Sequence, residues 1–115
     1  MLTVLKASAG SGKTFRLTRF YLEICFSHRK DPYYFRHILA MTFTNDATAE
    51  MKERILRELM ELARGNENSD HWAYFQKEFK LDNQALQNHA QRILDAIMER
   101  YDDFSISTID SFFQR

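Results

Sequence analysis

The chain has 115 residues, enough for one small domain with a modest core. Its 16 basic and 16 acidic residues cancel, so net charge does not announce a nucleic-acid binder, although contact within a larger assembly stays open. A single cysteine, Cys25, excludes an internal disulfide framework and suits a cytoplasmic protein. No run of about 18 apolar residues is present, and Lys6, Lys13 and Arg16 interrupt the N-terminus, so neither a membrane span nor a secretion signal is expected.

Leu2 to Leu5 reads as a short buried strand. Ala7-Ser8-Ala9-Gly10-Ser11-Gly12-Lys13-Thr14 follows and fits the phosphate-binding pattern [A/G]-x-x-x-x-G-K-[S/T]. A helix is expected from Lys13 or Thr14 to about Ser27, with Phe15, Leu17, Phe20, Tyr21, Ile24 and Cys25 on a wide apolar face. Strand, glycine loop and helix form the context such a loop requires. Gly10 and Gly12 let successive N–H groups, with those of Ala9 and Ser11, point into one concavity. The helix start adds its positive dipole end. In that arrangement Lys13 reaches the β- and γ-phosphates of ATP, and the Thr14 hydroxyl holds Mg²⁺. The plainer alternative is an ordinary Ser/Gly turn.

His28-Arg29-Lys30 closes the first helix, where positive charge is favourable, and reads as helix-end capping. Asp31-Pro32 marks a turn. His37 to Phe43 is a mostly apolar run and reads as a buried parallel strand, completing a right-handed β-α-β crossover. Thr44 or Asn45 can cap the next helix, which runs to about Ala63 with Met51, Ile55, Leu59 and Leu62 on one stripe. Gly65 is its natural stop.

From Asn66 to Asp103 the pattern is helical. Ser69 or Asp70 can cap a short helix bearing Trp72, Phe75 and Phe79. Asp82 can cap a longer one bearing Leu86, Ala90, Ile93, Ile97 and Tyr101. These aromatics read as packing residues, the alternative being a base-stacking surface. Asp102-Asp103 reads as a solvated helix end. Phe104 to Ile109 alternates and reads as a third strand. Asp110 can cap a final helix holding Phe112 and Phe113, and so short a helix at Arg115 points to the beginning of something longer.

Two further stretches carry a family resemblance. Met41-Thr42-Phe43-Thr44-Asn45-Asp46-Ala47-Thr48-Ala49-Glu50-Met51-Lys52-Glu53-Arg54-Ile55 resembles motif Ia, T-F-T-N-x-A-A-x-E-M-x-x-R-I/V, of the UvrD/Rep-type superfamily 1 DNA helicases. Ser107-Thr108-Ile109-Asp110-Ser111-Phe112 resembles the later T-[IF]-H-S-F segment. With the phosphate loop, three motifs stand in family order across the whole chain. Two traits are similar to the RecB/AddA branch, the helicase–nuclease subunits of the exodeoxyribonuclease V beta type in double-strand-break repair. The phosphate loop begins close to Met1, and the stretch between the second and third motifs is long and helical.

The resemblance implies an α/β fold: part of a P-loop NTPase (RecA-like) motor domain with a short parallel sheet. Residues 1–65 and 104–115 would form the core and about 66–103 a helical insertion, all within the N-terminal part of motor domain 1A. It implies that Gly10, Ser11, Gly12, Lys13 and Thr14 hold ATP phosphate and Mg²⁺. Thr42, Phe43, Thr44 and Asn45 would lie near single-stranded DNA, through short polar side chains, a helix N-terminus and a stacking ring. The alternative is that Phe43 packs inward and Asn45 only caps a helix.

Asp110 stands where the family has His, and an ionised Asp would repel phosphate. Phe113 replaces the usual Cys. The acidic pair and the arginines needed for hydrolysis belong to later segments and a second motor domain. This chain alone is therefore expected to bind ATP weakly or not at all, without turnover. Expected partners are single- and double-stranded DNA through a longer protein, the remaining helicase and nuclease domains, and partner subunits, with no membrane. The competing expectations are a free-standing P-loop nucleotide kinase and a non-hydrolysing P-loop binding module.

Overall fold

The computed structural model describes residues 3–7 and 11–108. Three parallel strands lie in the order β1 (Thr3–Ala7), β2 (Ile38–Thr42), β3 (Ile106–Thr108). Parallel neighbours need crossovers. Helix α1 (Ser11–Ser27) supplies the first, and α2 (Asn45–Ala63), α3 (Trp72–Phe79) and α4 (Asn83–Glu99) the second.

Strand β2 is central, and Ile38, Leu39, Ala40, Met41 and Thr42 are all buried. A strand covered on both faces reads as a continuous apolar run rather than an alternation. His37 falls outside it, in the one-turn helix Tyr34–His37 that follows the Asp31-Pro32 turn. There the Asp31 carboxylate accepts the Tyr33 N–H at 3.1 Å. Phe43 also falls outside β2. Strand β3 is shorter than the run from Phe104 suggests: Phe104 anchors the approach to it, edge-on to Tyr21 at 5.7 Å.

Helix α1 starts at Ser11, ahead of Lys13, and buries Tyr21, Leu22, Cys25 and Phe26. His28 Nδ1 meets the Ile24 carbonyl at 3.0 Å, and Arg29 Nη1 donates to the Phe26 carbonyl at 3.0 Å. Both therefore serve the helix end. Helix α2 buries the stripe Met51, Ile55, Leu59 and Leu62. It ends as its glycine requires: Gly65 sits at φ +79°, its N–H reaches the Leu62 carbonyl, and the Asn66 N–H reaches that of Glu61. This is the paired-bond C-terminal motif that needs a left-handed residue. A Cβ on Gly65 would also come within 2.7 Å of Gln87 Nε2.

The aromatic residues of α3 are packing residues. Phe75 is fully buried and stacks on Phe26 at 5.1 Å, and Phe79 on Phe26 at 5.9 Å. Neither Ser69 nor Asp70 caps α3. Its N-cap is the buried His71, which makes no side-chain cap bond, while Ser69 Oγ accepts only the His71 N–H. The helix ends on Lys80, which takes a left-handed backbone at φ 54°. Asp82 caps α4 through the Ala85 N–H at 2.8 Å. Leu86, Ala90, Ile93, Ala96 and Ile97 form its buried stripe. Tyr101 does not belong to that stripe. The backbone leaves the helix at Arg100, so Tyr101 falls in the one-turn helix Tyr101–Asp103, 41% exposed beneath Lys52. Asp102 and Asp103 share that solvent-facing turn.

One core joins α1, α2, α3, α4 and the sheet. No helix among the described residues is long and apolar enough to cross a membrane.

Candidate functional site

The register of the sheet is the starting point. Ala7 pairs with Thr42, and Thr42 pairs with Thr108. The last residues of all three strands thus stand in one row, at the carboxyl edge of the sheet. In open parallel sheets ligands bind in the crevice outside that edge. In the sequence each strand leads into or overlaps one of the three motifs, and the described strand ends share one edge.

On the first side of this row, α1 is the next described element after β1. Ala9 and Gly10 lie outside the described residues. The backbone of Ser11, Gly12 and Lys13 forms the first turn of α1, with no acidic residue in that turn. Thr14 follows, 8% exposed, and its carbonyl accepts the Thr18 hydroxyl at 2.8 Å. Four backbone N–H groups at such a helix start lack helical partners, and the dipole is positive there. The absence of a carboxylate from the turn leaves this end suited to an anion.

In the middle of the row, Thr42, Thr44 and Thr48 make a closed polar turn. Thr42 is fully buried, and its Oγ1 donates to the Thr44 carbonyl at 3.0 Å. Thr48 Oγ1 contacts Thr42 Oγ1, and lies 3.2 Å from the Thr44 carbonyl. The Thr44 side chain accepts the Ala47 N–H at 3.0 Å and caps α2. Thr44, not Asn45, is the cap; Asn45 is the first helical residue and is exposed. Phe43 does not pack inward: 61% of it is exposed, on the solvent side of the turn. Thr42, expected beside nucleic acid, is instead enclosed by the turn it stabilises. Its hydroxyl is occupied by Thr44 and Thr48, so it shapes the surface without forming it. Sequence reasoning missed Thr48. Its spacing of four from Thr44 was the available signal, since a Thr hydroxyl can bond the carbonyl one turn back.

On the third side, Thr108 is 8% exposed. Ile109, Asp110 and the residues to Arg115, including Phe112 and Phe113, lie outside the described residues.

A second missed feature holds α1 in place. Arg19 Nε donates to His71 Nδ1 at 3.2 Å, and Arg19 Nη2 to the Asp70 carbonyl at 2.9 Å. The guanidinium lies 4.2 Å from the Tyr74 ring centre and 5.0 Å from that of Phe15. Phe15 stacks on His71 at 4.9 Å. Burial, helped by the nearby Arg19 charge, lowers the His71 pKa to about 4. The imidazole is therefore neutral near pH 7, with Nδ1 as acceptor. Its 3.8 Å approach to Glu58 is not an ion pair at that pH.

Among the described residues no group of three or more His, Cys, Asp or Glu is placed to hold a metal ion.

The chain is 28% identical over 131 aligned positions to a probable DNA helicase II homolog of Mycoplasma genitalium, covering 95% of this chain and 18% of that protein. No solved structure gives a significant match. Residues 2–115 match the family of the UvrD/REP helicase N-terminal domain, and the chain belongs to that family.

Proposed function

We propose that this chain is the ATP-binding N-terminal segment of an ATP-dependent DNA helicase, forming part of the first motor domain. One observation carries the reading. The row Ala7–Thr42–Thr108 brings a carboxylate-free helix start and an exposed Phe43-Thr44-Asn45 turn to the same sheet edge. A motor must couple a nucleotide site to a nucleic-acid site, and two sites on one rigid edge can be coupled.

In this reading Ala9, Gly10, Ser11, Gly12, Lys13 and Thr14 hold the ATP phosphates. The backbone N–H groups at the start of α1 face the anion, and Lys13 neutralises it. The residues fit Mg²⁺ in one respect: Thr14, an oxygen donor, stands near the start of α1, where the first turn holds no acidic residue. Thr14 would hold the ion, which would neutralise charge on the phosphates. Phe43 offers a face to a base of single-stranded DNA, and Thr44 and Asn45 face a phosphate at the α2 N-terminus. Thr42 holds their turn. Residues 1–65 and 104–115 act as the P-loop core and about 66–103 as an insertion. Family membership supports the helicase reading over a free-standing nucleotide kinase.

The narrower placement, in the RecB/AddA branch with a role in double-strand-break repair, is supported by the length of the α3–α4 excursion between β2 and β3. A nuclease activity of the longer protein, partner subunits and a cytoplasmic location belong to that placement.

The test is titration of a fluorescent ATP analogue with Mg²⁺, beside Lys13→Ala, following phosphate release in the same samples. Weak saturable binding that disappears in Lys13→Ala, without release, is the expected result. Binding indifferent to Lys13 would remove the nucleotide assignment. Turnover abolished by Lys13→Ala would show that the catalytic acids are not supplied from outside this chain.

A further inference from the structure

Away from the strand-end row, the C-terminal end of α1 and the middle of α4 enclose a cleft of about 690 Å³ lined by Ser27, His28, Arg29, Lys30, Asp31, Tyr34 and His89. Its size lies within the range of about 300–1,000 Å³ usual for small-ligand sites. Its charge is predominantly positive. Arg29 and Lys30 line it, and Arg92, one turn beyond His89, acts on the His89 ring from α4. The single acid, Asp31, already accepts the Tyr33 N–H.

Helix capping does not exhaust these cations. Arg29 gives Nη1 to the Phe26 carbonyl and rests 5.5 Å from the Phe79 ring centre. A guanidinium carries five donors, so others remain. Lys30 is exposed and makes no ion pair among the described residues. His89 Nδ1 is buried with no hydrogen-bond partner. Burial, and to a lesser degree the Arg29 and Arg92 charges, lower the pKa of that ring. Two aromatic rings line it: His28 and Tyr34 stack face to face, with centres 3.6 Å apart, so each covers one face of the other.

We propose that this cleft is an anion site that takes a phosphate group, carried either by a small nucleotide or by a nucleic-acid backbone. Arg29 and Lys30 neutralise the phosphate from the α1 end, and Arg92 does so from α4. The stacked His28–Tyr34 pair gives an attached base or sugar an apolar contact at the cleft wall. The site stands apart from the nucleotide and DNA sites proposed above and does not depend on them.

The test reads the His28 and His89 ring resonances by NMR in the full chain, so binding at the strand-end row does not enter. Inorganic phosphate, adenosine monophosphate and a short oligothymidylate are titrated at constant ionic strength. Saturable movement of both rings is expected, weakened roughly threefold or more in Lys30→Gln and in Arg92→Gln. Movement by the small phosphates alone identifies a free nucleotide or phosphate as the source. Stronger movement by the oligothymidylate identifies a nucleic-acid backbone. No saturable movement, movement reproduced by sodium chloride, or affinity unchanged in both variants would overturn the proposal.

Discussion

Arg19 and His71, separated by 52 positions in the chain, meet through an Nε-to-Nδ1 hydrogen bond of 3.2 Å that ties α1 to the start of α3. The bond requires a neutral imidazole, because a protonated ring has no acceptor to offer. It lies one turn beyond Thr14, so the helix that opens with the proposed phosphate site is anchored by a contact that depends on protonation.

Stability should therefore fall with acid. His71 titrates near 6.5 when unfolded and at about 4 when folded, so the unfolded chain binds more protons between these values. The contribution is complete above about pH 6.5 and lost as pH falls towards 4, on the order of 3 kcal/mol in all. Urea midpoints of the native chain and of His71→Phe, measured from pH 7.5 down to 4.5, should converge as the pH drops. Parallel curves would contradict this.

The bond network of the Thr42–Thr48 turn should be measurable in isolation. Thr48→Val keeps the shape and removes the hydroxyl that meets Thr42 Oγ1 and the Thr44 carbonyl. A loss of about 1–2 kcal/mol is expected, with Thr48→Ser recovering most of it. Chemical denaturation of both variants decides; a neutral Thr48→Val would show that the hydroxyl contributes nothing.

The two helix ends with positive φ should respond oppositely. Lys80 holds φ 54° without the freedom of glycine, so Lys80→Gly should stabilise by about 1 kcal/mol. Gly65→Ala should destabilise by more than that, because it adds backbone strain and a clash with Gln87. Thermal melts of the pair check the signs.

Cys25 should be inert in the native state. It is 2% exposed, and burial pushes its thiol pKa up to about 12. Thiolate is the reactive form. Modification by an aromatic disulfide reagent at pH 8 should follow the unfolding rate and not the reagent concentration. Rapid modification of native protein would mean that α1 opens locally.

Much of the fold was legible in the sequence because its signals are local. The α2 stripe follows from spacings of three and four. Asp82 and Gly65 work through bonds to residues no more than four positions away. Strand β2 announced itself as an apolar run, although its ends were overestimated by a residue on each side. The α3 cap failed as a reading because burial of His71 under Phe15, and not a local hydroxyl, fixes where that helix begins.

For the candidate site, the candidate residues and their order can be read along the chain: a glycine loop, a Thr-Phe-Thr-Asn turn and a Ser-Thr-Ile segment. Such motifs are short and contiguous, so no folding is needed to see them. The folded chain was needed to see that Ala7, Thr42 and Thr108 stand in one row, that Phe43 faces outward while Thr42 is enclosed, and that Arg19 reaches His71. Those relations depend on strand register and on packing between distant segments. Because β2 is buried on both faces, its apolar run does not mark which residue pairs with which, and that choice is made by packing between the strands.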